Sequence, residues 1–403
     1  MRRITAQNAS FGVFLAFLLI PLSGISTDVY IPSMPAMTGD LHTTPARIQL
    51  TLTMFIGGYG LGQLVVGPAL DRFGRYRPML IALGLFVLSS AIIAVSSNIW
   101  LICALRLLQG LLAAVAVVAK RTFFVDLFSG PALHRYLTWN TVVWSLGPIC
   151  APFLVGFVQA HLGWRANFIL LMAFSVVALA LELWRGGETL THPQPIALRS
   201  MATRAWEIMS HGPFMRSVLC VGLAYGMVLC WSMASPFIVE TAYHQPPTMT
   251  GTLSLLMGIA WMCGGLISRA LLAQTLERKL QGSLAAMVIA IVGLAVLPSD
   301  WRSLQALALA AFVIHAAAGI IFNINFTHVL SMFPRHAAFS GGIAGGLVFM
   351  LSSLLSTTVI SLLHPQSTLD MATAYGVQAI LLVLLMLWMR APRAAEGLDV
   401  LHR

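Results

Sequence analysis

Long apolar runs, rather than alternation, set the pattern of this chain. Twelve stretches of at least 13 residues carry no Asp, Glu, Lys or Arg: 4–27, 48–70, 78–105, 107–119, 136–164, 166–181, 217–239, 241–268, 280–299, 303–334, 336–369 and 371–389. About 20 residues of helix cross a bilayer core. Backbone amides find no partner in lipid, so such runs must be helices or strands of a closed barrel, and barrel strands would alternate with period two. The expected fold class is therefore an all-α membrane protein with twelve transmembrane helices. Composition agrees: 58% of the 403 residues are hydrophobic and 9% charged, against about 25% charged in an ordinary soluble domain.

The net charge of +10 raises nucleic acid as a partner, but the basic residues sit in short connections rather than on one face. Topology explains them better. With a cytoplasmic N-terminus, all but four of the 23 Lys and Arg residues fall on cytoplasmic connections or tails; Arg47, Arg165 and Arg302 lie outside and Arg106 within a span. This is the positive-inside asymmetry, and it places both termini in the cytoplasm. Arg2 and Arg3 precede an apolar run too long for a signal peptide and without a cleavage site, so it is expected to stay as helix 1. Cys103, Cys150, Cys220, Cys230 and Cys263 lie in apolar spans, form no CxxC pair and read as packing residues. No metal site and no cofactor are expected.

Six spans end near Trp184 and the next begins near Phe214. The chain thus reads as a six-helix half at 1–184, a cytoplasmic linker at 185–213 and a second six-helix half at 214–403. In the linker, Leu198, Met201, Ala205, Ile208 and Met209 recur at helical spacing, as in a helix lying on the membrane surface. Two six-helix halves are the plan of many secondary transporters, whose substrate site lies between them near mid-membrane. No GxxxxGK[ST] loop, no HExxH and no extramembrane domain point to an ATP-driven pump or an enzyme. The spans hold only Asp28 and, at the other end of the membrane, Glu182 as acids, which excludes a paired-acid active site.

The connection between spans 2 and 3 reads Gly67-Pro68-Ala69-Leu70-Asp71-Arg72-Phe73-Gly74-Arg75. Gly67 and Gly74 are expected to permit close approach and a tight turn, and Asp71 to neutralise the N-terminus of span 11, which opens at Ser340, Gly341 and Gly342. The run resembles the GxxxDRxGR signature of the major facilitator superfamily, in the place where that superfamily carries it. Ser26-Thr27-Asp28-Val29-Tyr30-Ile31-Pro32-Ser33-Met34-Pro35, then Gln49, Thr51, Gln63, Arg106, Gln109, Gly110, Arg121 and Asp126, resemble its bicyclomycin-resistance (Bcr/CflA) branch of drug/proton antiporters. Gly147-Pro148, Ala151-Pro152 and Gly156, followed by Trp164-Arg165 and Phe168, are similar to the antiporter motif of helix 5. Val125 and Ala151-Pro152 depart from the branch's pattern, and the resemblance is dense only over residues 22–168.

The resemblance implies that Arg75 pairs with Asp126, and that Gly67, Asp71, Arg72, Gly74, Arg75 and Asp126 latch one conformation. It also implies that helices 1 and 4 line a central cavity. An ionisable side chain inside a span costs a few kcal/mol and needs a wet cavity or a partner. Asp28 and Arg106 lie at similar depth, so Asp28 is expected to bind proton and substrate in turn while Arg106 stays charged and tunes it. Tyr30, Tyr225, Trp231, His315 and Asn323 are the expected substrate contacts, through aromatic faces and hydrogen bonds. Function is expected to be proton-coupled efflux of small hydrophobic compounds across a bacterial inner membrane. The alternative is a dedicated metabolite or siderophore permease, in either direction. Expected partners are membrane lipid, a small-molecule substrate and the proton; one chain contains the whole pathway, so a monomer suffices.

Overall fold

The computed structural model describes residues 2–5, 8–191, 198–271, 274–333 and 337–399. Among them are twelve helices long and apolar enough to cross a membrane: α1 Ser10–Asp40, α2 Pro45–Phe73, α3 Tyr76–Val95, α4 Ile99–Leu127, α5 Gly130–Leu162, α6 Trp164–Arg185, α7 Gly212–Ala242, α8 Pro247–Ala270, α9 Leu276–Val296, α10 Leu304–Met332, α11 Phe339–Leu363 and α12 Thr368–Trp388. The linker carries a further helix, Leu198–Ser210. Arg335 and Arg403, two of the basic positions counted above, lie outside the described residues.

The twelve helices match the twelve apolar runs, with two informative shifts. The charge-free runs 78–105 and 107–119 are not divided by a loop at Arg106: α3 ends at Val95 and α4 begins at Ile99, so Arg106 lies inside α4. The true break is marked by Asn98, whose side chain accepts from the amides of Trp100 (2.9 Å) and Leu101 (3.3 Å) and so satisfies two donors that helix geometry leaves unpaired. Likewise α7 runs past Glu240, although the apolar run stops at Val239.

The chain divides into two compact units. One contains Met1–Ala202 together with Ser235–Leu256; the other contains Thr203–Ala234 and Met257–Arg403. The corner joining α7 to α8 therefore groups with the first six helices. Its packing against α5 explains this. A Cβ on Gly156 would lie 2.9 Å from the Pro247 carbonyl, and one on Gly251 2.5 Å from that of Pro152.

Helix 1 is not a single rod. It consists of Ser10–Leu19, Leu22–Asp28, a 3-10 turn at Ile31–Ser33 and Met34–Asp40. Proline supplies no amide, so Pro32 leaves the carbonyl of Asp28 without its i+4 donor. The chain leaves helical geometry at Tyr30, with φ −133° and ψ 8°. The sequence thus breaks α1 directly after its one buried acid.

Within each unit, glycine brings backbones into contact. A Cβ on Gly110 of α4 would collide with the Phe55 carbonyl and lie 2.6 Å from the Tyr59 amide of α2, and one on Gly58 would strike the Leu107 carbonyl. Gly264 of α8 and Gly319 of α10 make the equivalent approach through the carbonyls of Ala316 and Trp261. Large apolar side chains face outward, with Val95 79% and Leu362 74% exposed. Lipid tails are as apolar as these side chains, so helix association must come from close packing and polar contacts. Gly110→Leu is expected to destabilise the protein by about 1–3 kcal/mol or more through overpacking, read as a lower unfolding temperature in detergent beside Gly84→Leu, where nothing lies within 4 Å of the added Cβ.

Candidate functional site

The α2–α4 contact sets the position of Arg106. Its side chain is 0% exposed, with its guanidinium carbon 4.2 Å from the Phe55 ring centroid and 4.7 Å from that of Tyr30. One Nη1–H donates to Gln109 Oε1 at 3.1 Å, Gln109 Nε2 donates to Ser90 Oγ at 2.9 Å, and Ser90 donates to the Phe86 carbonyl at 2.8 Å. Arg106 is thereby sandwiched between two aromatic faces and tied through α4 to α3. Its Nε and Nη2 atoms are buried without a hydrogen-bond partner.

Asp28, at the end of the second segment of α1, is 8% exposed. It makes no hydrogen bond and no ion pair within 4 Å with any described residue, yet it lies within electrostatic reach of Arg106. The two sequence-selected charges are thus brought together as neighbours rather than as a closed pair. The acid keeps its acceptor sites open, and the cation keeps two donors unspent.

The five expected substrate contacts fall into separate settings. Tyr30 is fully buried and its hydroxyl is 2.6 Å from Thr51 Oγ1; since Thr51 itself donates to the Ile48 carbonyl, Tyr30 is the donor. Tyr225 joins Trp261, Phe322 and Phe349 in an aromatic cluster with centroids 5.5–6.2 Å from its own. Trp231 and His315 meet edge-on at 6.0 Å, 2% and 1% exposed, with Tyr375 6.5 Å beyond His315. Asn323 is exposed and donates to the Gly319 carbonyl of its own helix at 2.9 Å. Among the described residues, no group of His, Cys, Asp and Glu is placed to hold a metal ion.

Of the helix 5 residues, Gly147 and Pro148 bear on α1, while Gly156 packs against Pro247. Positions Gly147 and Gly24 lie where a Cβ would meet Pro21 O at 3.0 Å and Pro148 Cδ at 2.5 Å, respectively, and Trp144 Nε1 donates to Ser23 Oγ at 3.2 Å. The break in α1 after Leu19 and the Gly147-Pro148 stretch of α5 therefore pack against each other about one turn before Asp28.

At the basic end of the bundle, Arg75 Nη1 donates to Asp71 at 2.6 Å and its Nε to Asp126 at 3.2 Å. Burial works against the Arg75 charge, but hydrogen bonds from its guanidinium to Asp126 and Asp71 raise its pKa above the ordinary arginine value. Gly74, at φ +90°, takes the left-handed turn that ends α2. Gly67 differs from expectation: nothing lies within 4 Å of the place of its Cβ, because α2 is still a regular, unapproached helix there. Arg72 is exposed and rests over the Phe73 ring at 5.3 Å, outside the Arg75 network.

Sequence reasoning missed the other half of this network. Glu188, just beyond α6, accepts from the amides of Arg75, Thr189 and Leu190 at 3.0 Å and of Tyr76 at 3.1 Å, placing an anion at the N-terminus of α3. Thr189 donates to Asp126 at 2.7 Å, and Glu188 is also paired through its backbone with Arg2 and Ile4. Lys120, which the basic pattern assigned to a connection, is instead buried inside α4 and ion-paired with the fully buried Glu182 of α6. The available signal was Gly186-Gly187 before Glu188: small residues where three segments converge.

A family model described as Major Facilitator Superfamily matches residues 16–357. The chain belongs to the major facilitator superfamily. The uncharacterized MFS-type transporter YdgK of Bacillus subtilis is 28% identical over 353 residues, covering 86% of this chain and 87% of that one. The bicyclomycin resistance protein homolog of Haemophilus influenzae is 31% identical over 195 residues, about half of each chain (48% and 49%). Multidrug resistance protein D of Escherichia coli is 22% identical over 88% of this chain and 89% of its own length. Among solved structures, the nucleoside transporter NupG superposes with a TM-score of 0.70 at 14% identity, over 94% of this chain and 99% of that one. The human organic anion transporter MFSD10 follows at TM-score 0.61 and 17% identity, over 93% and 98%. These likenesses fit the bicyclomycin-resistance-like branch, and the chain is a multi-pass membrane transporter rather than an enzyme.

Within this transporter the Lys120–Glu182 pair has a direct test. Lys120→Met leaves a buried carboxylate alone and is expected to cost about 3–5 kcal/mol. Lys120→Met with Glu182→Leu should recover most of that loss, read as unfolding temperature in detergent.

Proposed function

We propose that this chain is a proton-coupled antiporter that exports small, mostly hydrophobic compounds across the inner membrane of a bacterium, with both termini in the cytoplasm. The observation that carries the reading is Asp28: a buried carboxylate, without hydrogen bond or ion pair to any described residue, beside a guanidinium with two unspent donors. A closed Asp–Arg pair would hold its charge permanently. An open one can exchange partners, so Asp28 takes a proton or a polar group of the substrate, and Arg106 makes the anionic state affordable between those events. The relatives named for bicyclomycin and multidrug resistance support export as the direction.

Proton binding at Asp28 acts where α1 is broken and where Gly24 and Pro148 join α1 to α5. A change of charge at Asp28 is therefore delivered to a bend rather than to a rigid rod, which is how a local event can bias two arrangements. Tyr225 and the rings around it supply an aromatic surface suited to flat apolar or cationic compounds. One proton exchanged for a neutral substrate, at about one pH unit and about 100 mV, supplies roughly 3.7 kcal/mol, a gradient near 500-fold.

Purified protein in proteoliposomes with a trapped pH dye tests this. A cationic dye, a neutral antibiotic or a siderophore from a panel should drive proton movement with the wild type and not with Asp28→Asn. Undiminished exchange in Asp28→Asn would reject the titrating role. Uptake or binding without proton movement would make the chain a facilitator or dedicated permease.

A further inference from the structure

We propose that Glu240 is a second proton-binding carboxylate, which ties the packing of the α7–α8 corner to pH. It lies in a turn of unusual winding. Ile238–Ala242 form a π-helix, with the Tyr243 amide donating to the Ile238 carbonyl at 3.1 Å. Such turns are rare and are frequently found at functional sites. Here the turn carries the partly buried Glu240, whose Oε1 accepts from Thr250 Oγ1 of α8 at 3.0 Å. Thr250 is 1% exposed, and no described Lys, Arg or His pairs with Glu240.

The corner sits where gradual movement is not available. Gly251 packs against the backbone of Pro152 and Phe153, and Gly156 against Pro247 and Thr248, so it is either seated on α5 or lifted from it. A carboxylate with one hydroxyl donor and no cation is costlier to bury charged than neutral. Protonation of Glu240 therefore favours the seated arrangement, and ionisation favours one in which water reaches the acid. The neighbouring titratable groups are few. His161, at the end of α5, is exposed and bonded to the Phe157 carbonyl, Tyr243 and the exposed His244 follow in the same turn, and α8 has no ionisable group before Cys263. In the orientation proposed above, Glu240 faces the periplasmic end, and a proton arriving from that side would close it.

The test reads the corner directly, without substrate and without Asp28, so its failure and the failure of the antiporter reading are separable. Ser254, 8% exposed and one turn from Thr250 on the same face of α8, is replaced by Cys in protein whose own cysteines are changed to alanine. Labelling by a water-soluble maleimide in proteoliposomes is then compared between Glu240 and Glu240→Gln at each pH, so that ionisation of the thiol cancels. Labelling should be several-fold faster with Glu240 at about pH 8, the ratio falling toward one at about pH 5.5. A ratio that does not change with pH overturns the proposal. Thr250→Val, which removes the donor that favours the charged acid, should move the transition upward by about one pH unit. A transition unmoved by Thr250→Val also overturns it.

Discussion

A guanidinium held at 0% exposure inside an apolar bundle is the constraint on which the first unit depends. In water Arg106 would need nothing from its neighbours; in a helix bundle without solvent, every contact must come from protein. The response is distributed over four helices. Gly58 and Gly110 let α2 and α4 touch, which sets Phe55 against the cation, the break in α1 brings Tyr30 to its other side, and Gln109 and Ser90 carry one donor into α3. Two nitrogen atoms of Arg106 remain without a hydrogen-bond partner, and Asp28 lies within electrostatic reach of the cation.

The same rule shapes the basic end. Arg75, Asp71, Asp126, Thr189 and Glu188 form one connected set in which helix ends, side chains and the linker complete each other. The turn in the α2–α3 connection is therefore not self-contained. It is held by an acid contributed more than a hundred residues later, and the Lys120–Glu182 pair lies beneath it within the helices. Arg75 is the buried centre of this set, so removing its acidic partners leaves a charge with little water to replace them, whereas Asp71 is half exposed.

Where the pattern of residues was read correctly, the reason was mostly lipid. Helix number and class follow from the need to satisfy each backbone amide inside its own segment, and that need is local. The pairing of Arg75 with Asp126 followed from a family resemblance, and the nearness of Asp28 and Arg106 from their matched depth on helices that the family places around a cavity. Glu188 and Glu240 were missed because the first lies in the linker beyond α6 and the second ends an apolar run, and a charge at either place is ordinarily solvated. Only the folded chain shows that Glu188 meets four amides and that α7 winds on through Glu240 as a π-turn.

The sequence by itself determined how many spans there are, that they are helices, and that Asp28 and Arg106 lie within them, since these follow from hydropathy and spacing along one chain. The break in α1 and the entry of Lys120 and Glu240 into helices became visible only in the fold. Tertiary structure alone decided which charges are satisfied. Arg106 is half-paired, Lys120 fully buried with Glu182, and Tyr30 spent on Thr51 because satisfaction depends on atoms from other helices brought within about 3 Å of each other. No periodicity records that distance. It arises from which glycines let which backbones meet.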